Sequence, residues 1–149
     1  MIAKIMPDTN LLVYAYDRSA DIKQQAAFML LDNLVKSGTG VISVQVLSEF
    51  FVTVTRKIPY PLSIEQATAR IESFCKMWTV LELNEIIINE AIRGVRIHQF
   101  SYWDAQIWAS ARLNQIGTVL SEDFAHNSFF EGVRFVNPFA PGFDANLLF

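Results

Sequence analysis

Cysteine is almost absent from this chain: Cys75 stands alone among 149 residues. One thiol excludes an intrachain disulfide and a multi-thiolate metal cage, and such scarcity points to a reducing compartment, the cytoplasm. A basic excess is also lacking, since 12 Lys and Arg face 15 Asp and Glu, for a formal net charge of -3 and a pI near 5.3. Proteins that grip nucleic acid by bulk electrostatics carry a basic face, so that mode is disfavoured. Setting four acids aside as ion ligands leaves 11, which nearly balance the 12 bases. No segment approaches the roughly 20 apolar residues of a membrane span. Met1 to Pro7 carries too short an apolar run for a signal peptide, and no membrane association is expected. Repeats, low-complexity segments and interdomain linkers are missing too, and one domain over residues 1–149 is expected, with an irregular apolar tail from about 138. What the chain does have is apolar mass: 52% hydrophobic residues, 12 of them Phe, and a mean hydropathy of +0.26. That supports a sizeable core and leaves an excess to be covered at an interface.

Ile2 to Met6, closed by Pro7, reads as a strand, and Asp8-Thr9-Asn10 opens a helix over Leu11 to Tyr16. Asp21 to Lys36 predicts an amphipathic helix with Ile22, Ala26, Met29, Leu30 and Leu34 as its apolar set, stopped by Ser37-Gly38. A strand at Val41 to Ser43 leads into a helix over Val44 to Lys57. Ser63 with Gln66 makes a capping-box start for a helix to about Lys76. Trp78 to Leu83 is a third strand, Asn84 to His98 a helix, and Ser101 with Asp104 starts another through Ile116, stopped by Gly117. Thr118 to Ser121 and Val133 to Val136 are the fourth and fifth strands. Short strands alternating with helices predict an α/β domain with a mainly parallel sheet.

Four acids interrupt otherwise apolar sequence. Glu49 is the sole formal charge between Lys36 and Arg56, and Asp104 the sole one between Arg96 and Arg112. Asp8 follows the first strand and Glu122-Asp123 the fourth. In an open parallel sheet such positions converge on one edge at a topological switch point. Carboxylates packed there repel one another and persist most readily around hard cations, for which Mg2+ or Mn2+ is the match. Each acid also has a plainer reading. Asp8 serves as an N-cap, Asp104 as the N3 acid of the Ser101 capping box, Asp123 as a solvated turn residue, and Glu49 as the partner of a distant arginine. The joint occurrence of all four at strand ends or on following helices favours the metal site.

The segments Pro7-Asp8-Thr9-Asn10-Leu11-Leu12-Val13-Tyr14, Ser48-Glu49-Phe50, Tyr102-Trp103-Asp104-Ala105 and Leu120-Ser121-Glu122-Asp123-Phe124 resemble, in order, the motifs of PIN-domain proteins. The resemblance is closest to the VapC-type toxin nucleases of VapBC toxin-antitoxin modules. It implies a three-layer α/β/α sandwich around a mainly parallel five-stranded sheet. Asp8, Glu49, Asp104 and Asp123 fall on the family's carboxylate positions, and Thr9, Asn10 and Ser121 on its supporting polar ones. Where the family often has Thr, this chain has Ser121, which keeps the hydroxyl. Glu122 is a further acid nearby, not counted as a primary ligand. The activity implied is metal-dependent hydrolysis of RNA phosphodiesters, with Mg2+ or Mn2+ and an activated water, leaving 5'-phosphate and 3'-hydroxyl ends. A homodimer and an antitoxin partner covering the cleft are implied as well.

Other chemistries fit less well. His98 and His126 offer a two-histidine ribonuclease, but read as a helix-end cation and a surface turn residue. Cys75 reads as a small core residue. Tyr14, Tyr16, Arg18, Lys23 and Trp103 lie near the acids and can hold single-stranded RNA, although Trp103 reads first as core packing and the cations as solvated. Arg93 and Arg96 read as a solvated helix face. A haloacid-dehalogenase-like phosphatase carries a second Asp where Asn10 stands, and a receiver domain carries a Lys after its last strand, which Val133 to Pro138 lacks. Two readings stay open beside the toxin: a non-catalytic RNA-binding module, and a housekeeping nuclease without an antitoxin.

Overall fold

In the computed structural model the described residues are 3–149. The first strand, β1, spans Ile5–Pro7; the Ile2 end of the predicted strand lies outside the described residues. Asp8 then leaves the extended region (φ -78°, ψ 167°) and caps α1, Thr9–Tyr14. The helix α2 runs Asp21–Ser37 and ends on Gly38 at φ 68°, a left-handed position suited to glycine. Strand β2, Val41–Ser43, passes directly into α3, Val44–Arg56, with the Ser43 side chain accepting from Val46 N–H. The predicted capping box at Ser63 and Gln66 is present and starts α4, Ile64–Met77. Then follow β3, Thr79–Leu81, and α5, Glu85–His98, capped by Asn84. The helix α6, Tyr102–Leu113, leads into β4, Thr118–Leu120.

Strands β5, Ser128–Phe130, and β6, Val133–Val136, form a hairpin closed by Glu131 and Gly132, both at positive φ. This is the two-residue turn that matches strand twist. The sequence reading lacks β5 because its turn is Glu-Gly rather than Asn-Gly, and three residues leave little alternation to read.

Two ladders result, one with the order β1-β4-β6-β5 and one pairing β2 with β3. All pairings are parallel except β5 with β6, and a parallel bridge from Ile5 to Gly40 joins the ladders. The single five-stranded sheet expected is therefore, among the described residues, six strands in two joined ladders. Across the bridge the order is β3-β2-β1-β4-β6-β5, with its reversal of direction between β1 and β4. Right-handed crossovers put α1 to α4 over one face and α5 with α6 over the other, giving the three layers. The core between them holds Met6, Leu11, Ile42, Phe50, Phe74, Trp108 and Phe135.

Three local expectations change. On α2 the buried stripe is Ala27, Leu30, Leu31 and Leu34, whereas Ile22 is 86% and Met29 68% exposed. The helical period is as predicted, but its phase is set by the surface it meets. Helix α6 stops at Leu113, before Ile116: Gln115 takes a φ of 59° and Ile116 N–H closes back on Ala111 O at 2.8 Å. The left-handed turn thus precedes Gly117. Cys75 is exposed, not a core residue. The tail after Asn137 holds a 3-10 turn, Ala145–Leu147, and packs Phe139, Phe143 and Leu148 on the core. Among the described residues no helix is long and apolar enough to cross a membrane.

Candidate carboxylate site

The strand order reverses between β1 and β4, and ligands of open α/β sheets bind outside the carboxyl ends of the strands at such a switch point. Asp8 sits there, 5% exposed, with its backbone N–H held by Leu120 O at 2.8 Å. Its Oδ1 accepts from Thr9 N–H at 2.7 Å and its Oδ2 from Ser121 Oγ at 2.8 Å. The N-cap reading is correct, and the cap uses one oxygen only. Ser121 is fully buried and its hydroxyl also accepts from Asp123 N–H at 3.1 Å and Asn10 Nδ2 at 3.3 Å. Asn10 reaches on to Asp123 Oδ2 at 3.1 Å, and its own Oδ1 accepts from Glu122 N–H at 3.4 Å. Asn10 and Ser121 therefore splice the loop after β1 to the loop after β4. Thr9 turns the other way, its hydroxyl donating to Glu49 Oε1 at 3.3 Å.

Asp104 lies half-buried on the first turn of α6, where its N–H donates to Ser101 Oγ at 3.3 Å. The reciprocal capping-box bond, from Ser101 N–H to the Asp104 carboxylate, is not made. Glu49 is on the surface of α3. It is not paired with an arginine; none of the four acids makes an ion pair among the described residues.

Charge is therefore crowded at this edge. Burial pushes the Asp8 carboxyl up from 3.8 to about 7, against the pull of Ser121 and Thr9, and the charges of Asp123 and Glu49 add to the rise. Burial likewise raises Glu49, opposed by Gln45 and Thr9 and reinforced by Asp104 and Asp123. Asp104 is raised by burial and by Asp123, with Ser101 opposing. Asp8, Glu49 and Asp104 are thus each raised in part by at least one neighbouring acid. No three His, Cys, Asp or Glu side chains among the described residues converge as a ready-made ligand set. As a donor set the four carboxylates still suit a hard divalent cation, which takes oxygen ligands and offsets their mutual repulsion. Glu122 belongs elsewhere, held by Tyr14 Oη at 2.5 Å and Lys23 Nζ at 2.9 Å.

A family model described as PIN domain matches residues 5–129. The chain belongs to the PIN domain family. That span includes all four acids and the splice formed by Asn10 and Ser121. Solved structures similar to this PIN domain include the Mycobacterium tuberculosis toxin VapC20, described as cleaving the sarcin-ricin loop, at 17% identity and TM-score 0.60, covering 78% of this chain and 87% of that one. A toxin-antitoxin complex from Klebsiella pneumoniae is similar at 17% identity and TM-score 0.64, over 91% and 98% of the two chains. VapBC2 from Rickettsia felis, bound to a promoter DNA fragment, is similar at 20% identity and TM-score 0.60, over 91% and 97%. At these identities the likeness is one of fold. No curated protein sequence matches this PIN domain.

The other residues singled out from sequence are deployed as follows. His98 meets Glu131 Oε2 at 2.6 Å, and His126 Nδ1 accepts from Asn137 N–H at 3.0 Å, so neither hydrogen-bonds to the four acids. Arg93 is bound to Glu90 and Glu131 rather than free in solvent. Trp103 overturns its core assignment, being 63% exposed on the turn that carries Asp104. The sequence reading passed over Gln45 and Gln106, two buried amides hydrogen-bonded to each other at 2.8 Å. Their signal was weak, since an uncharged Gln on a helix is common on any surface.

Proposed function

We propose that this PIN domain is a divalent-metal-dependent endoribonuclease of the cytoplasm, acting as the toxin of a toxin-antitoxin pair, with the whole chain forming one functional domain. The observation that carries the reading is four carboxylates from four elements, mutually coupled and lacking any cationic partner among the described residues. Buried charge without a counter-ion is costly, and Asp8, the buried member of the four, is favoured in its ionised form by a cation shared with its neighbours. Asp8, Asp104 and Asp123 would hold Mg2+ or Mn2+ with Glu49 at the edge, and the bound ion would supply charge for the phosphodiester and acidify a water. Ser121 and Thr9 fix both oxygens of Asp8, so that this ligand needs little reordering. Asn10 holds Asp123 in the same way. Glu49, exposed and with its proton affinity raised, is the group placed to accept a proton from an attacking water. The fold likeness to toxin-antitoxin proteins supports an antitoxin partner, and the exposed apolar side chains provide surface for it and for a second copy of the chain.

The test is cleavage of end-labelled single-stranded RNA in Mg2+, Mn2+ or chelator. The wild-type chain should cut with metal only, and Asp104→Asn should lower the rate by at least about 100-fold with an unchanged circular dichroism spectrum. Full activity in Asp104→Asn removes the assignment. A folded wild type that binds RNA and never cuts it is a non-catalytic module instead.

A further inference from the structure

A groove opens beside Glu49. It occupies about 480 Å3 along α3, lined by Gln45, Glu49, Val52, Lys57, Leu83 and Trp103 among others, within the roughly 300–1,000 Å3 of small-ligand sites. Trp103 is 63% exposed at this groove, whereas Trp78 and Trp108 are 5% and 0% exposed. Its backbone is nevertheless held firmly. Tyr102 Oη donates to Gln106 Oε1 at 3.0 Å, Gln106 Nε2 to Gln45 Oε1 at 2.8 Å, and Gln45 Nε2 to Trp103 O at 3.1 Å. This ladder crosses from the first turn of α6 to the first turn of α3. One set of bonds therefore positions the exposed indole, its neighbour Asp104 and the helix that bears Glu49.

Charge divides the groove lengthwise. Glu49 lies at the carboxylate site, and Lys57, exposed and without an ion pair among the described residues, stands eight residues on, about 12 Å along a helix. Between them Val52 and Leu83 offer uncharged apolar wall. Such a channel takes a flat neutral ring in its middle and an anion at its far end.

We infer that this groove is a nucleobase subsite: one unpaired base of the RNA stacks on Trp103 next to the scissile phosphate, and a neighbouring phosphate lies on Lys57. The inference rests on the ribonuclease reading and requires an unpaired base at this position, because a base inside a duplex cannot turn its face to the indole. Gln45 and Gln106 are positioning residues for the stack.

The experiment reads binding without cleavage, using the full chain in chelator with a short oligouridylate and a duplex of equal length. Trp103 dominates the emission that acrylamide can quench, since the other two tryptophans are buried. The single strand should shield that emission and the duplex should not. Trp103→Ala should weaken oligouridylate binding about tenfold or more, with Trp103→Phe recovering most of it. Lys57→Ala should flatten the salt dependence of binding. Wild-type affinity in Trp103→Ala, or emission that RNA leaves unshielded, overturns the subsite and gives the groove to another occupant such as a partner protein. The two readings fail separately. Cleavage at unchanged KM in Trp103→Ala removes the subsite and keeps the nuclease. Shielding by RNA in a chain that never cleaves keeps the subsite and removes the nuclease.

Discussion

On the proposed function, Asp8 concentrates the conflict between stability and ion binding in one side chain. The unfolded chain ionises it near pH 3.8, while the folded chain holds its proton up to about pH 7. Without metal, its contribution to stability is therefore complete below about pH 4, drains away as pH rises towards 7, and is flat above that. The ceiling on the loss is about 4 kcal/mol, at roughly 1.36 kcal/mol per pKa unit. Asp8→Asn should accordingly unfold at higher temperature than wild type at pH 8 in chelator, and the gap should close at pH 4. A gap independent of pH would show that the charge of Asp8 is not what destabilises the metal-free fold. The residue types of this site are legible in the sequence, since isolated acids in apolar surroundings need a reason. Their hydrogen-bond partners are not: that Ser121 Oγ serves Asp8, Asp123 and Asn10 together depends on loops 113 residues apart.

Helix α5 owes its seat to an absent side chain. A Cβ on Gly94 would stand 2.8 Å from the Trp108 ring, so α5 and α6 approach more closely than any other residue permits. Gly94→Ala gains helix propensity of about 1 kcal/mol and loses more through overpacking of about 1–3 kcal/mol. Its urea midpoint should fall, and a rise would show that the helices can part without cost. Trp108 also donates Nε1 to Phe130 O at 3.1 Å, fastening α6 to the hairpin that the sequence reading lacks. Helices were legible because caps and period are local; Ser63-Gln66, Asn84 and Ser101 all mark true starts. Phase and short strands were not, since Ile22 and Met29 are apolar yet face outward, and β5 exists only because β6 offers an edge.

At the scale of the whole molecule, several large apolar side chains stand on the surface. Phe28, Met29 and Val35 stand exposed on α2, with Phe129 and Leu147 elsewhere. Such surface is ordinarily covered by a partner. Light scattering at micromolar concentrations should give twice the protomer mass of 16.9 kDa. A mass of one protomer across that range would remove the proposed homodimer and leave the apolar surface to the proposed antitoxin alone.

The sequence by itself determined the alternation of helix and strand, the helix starts and which acids stand isolated in apolar sequence. Those depend on local propensity and on acids that apolar neighbours cannot satisfy. Tertiary structure decided what depends on distant partners. It set the strand order that brings residue 8 to residue 121, the outward turn of Trp103, the exposure of Cys75 and the pairing of Gln45 with Gln106. Side-chain period is written in the chain, but which face meets a neighbour is fixed only when the neighbour packs.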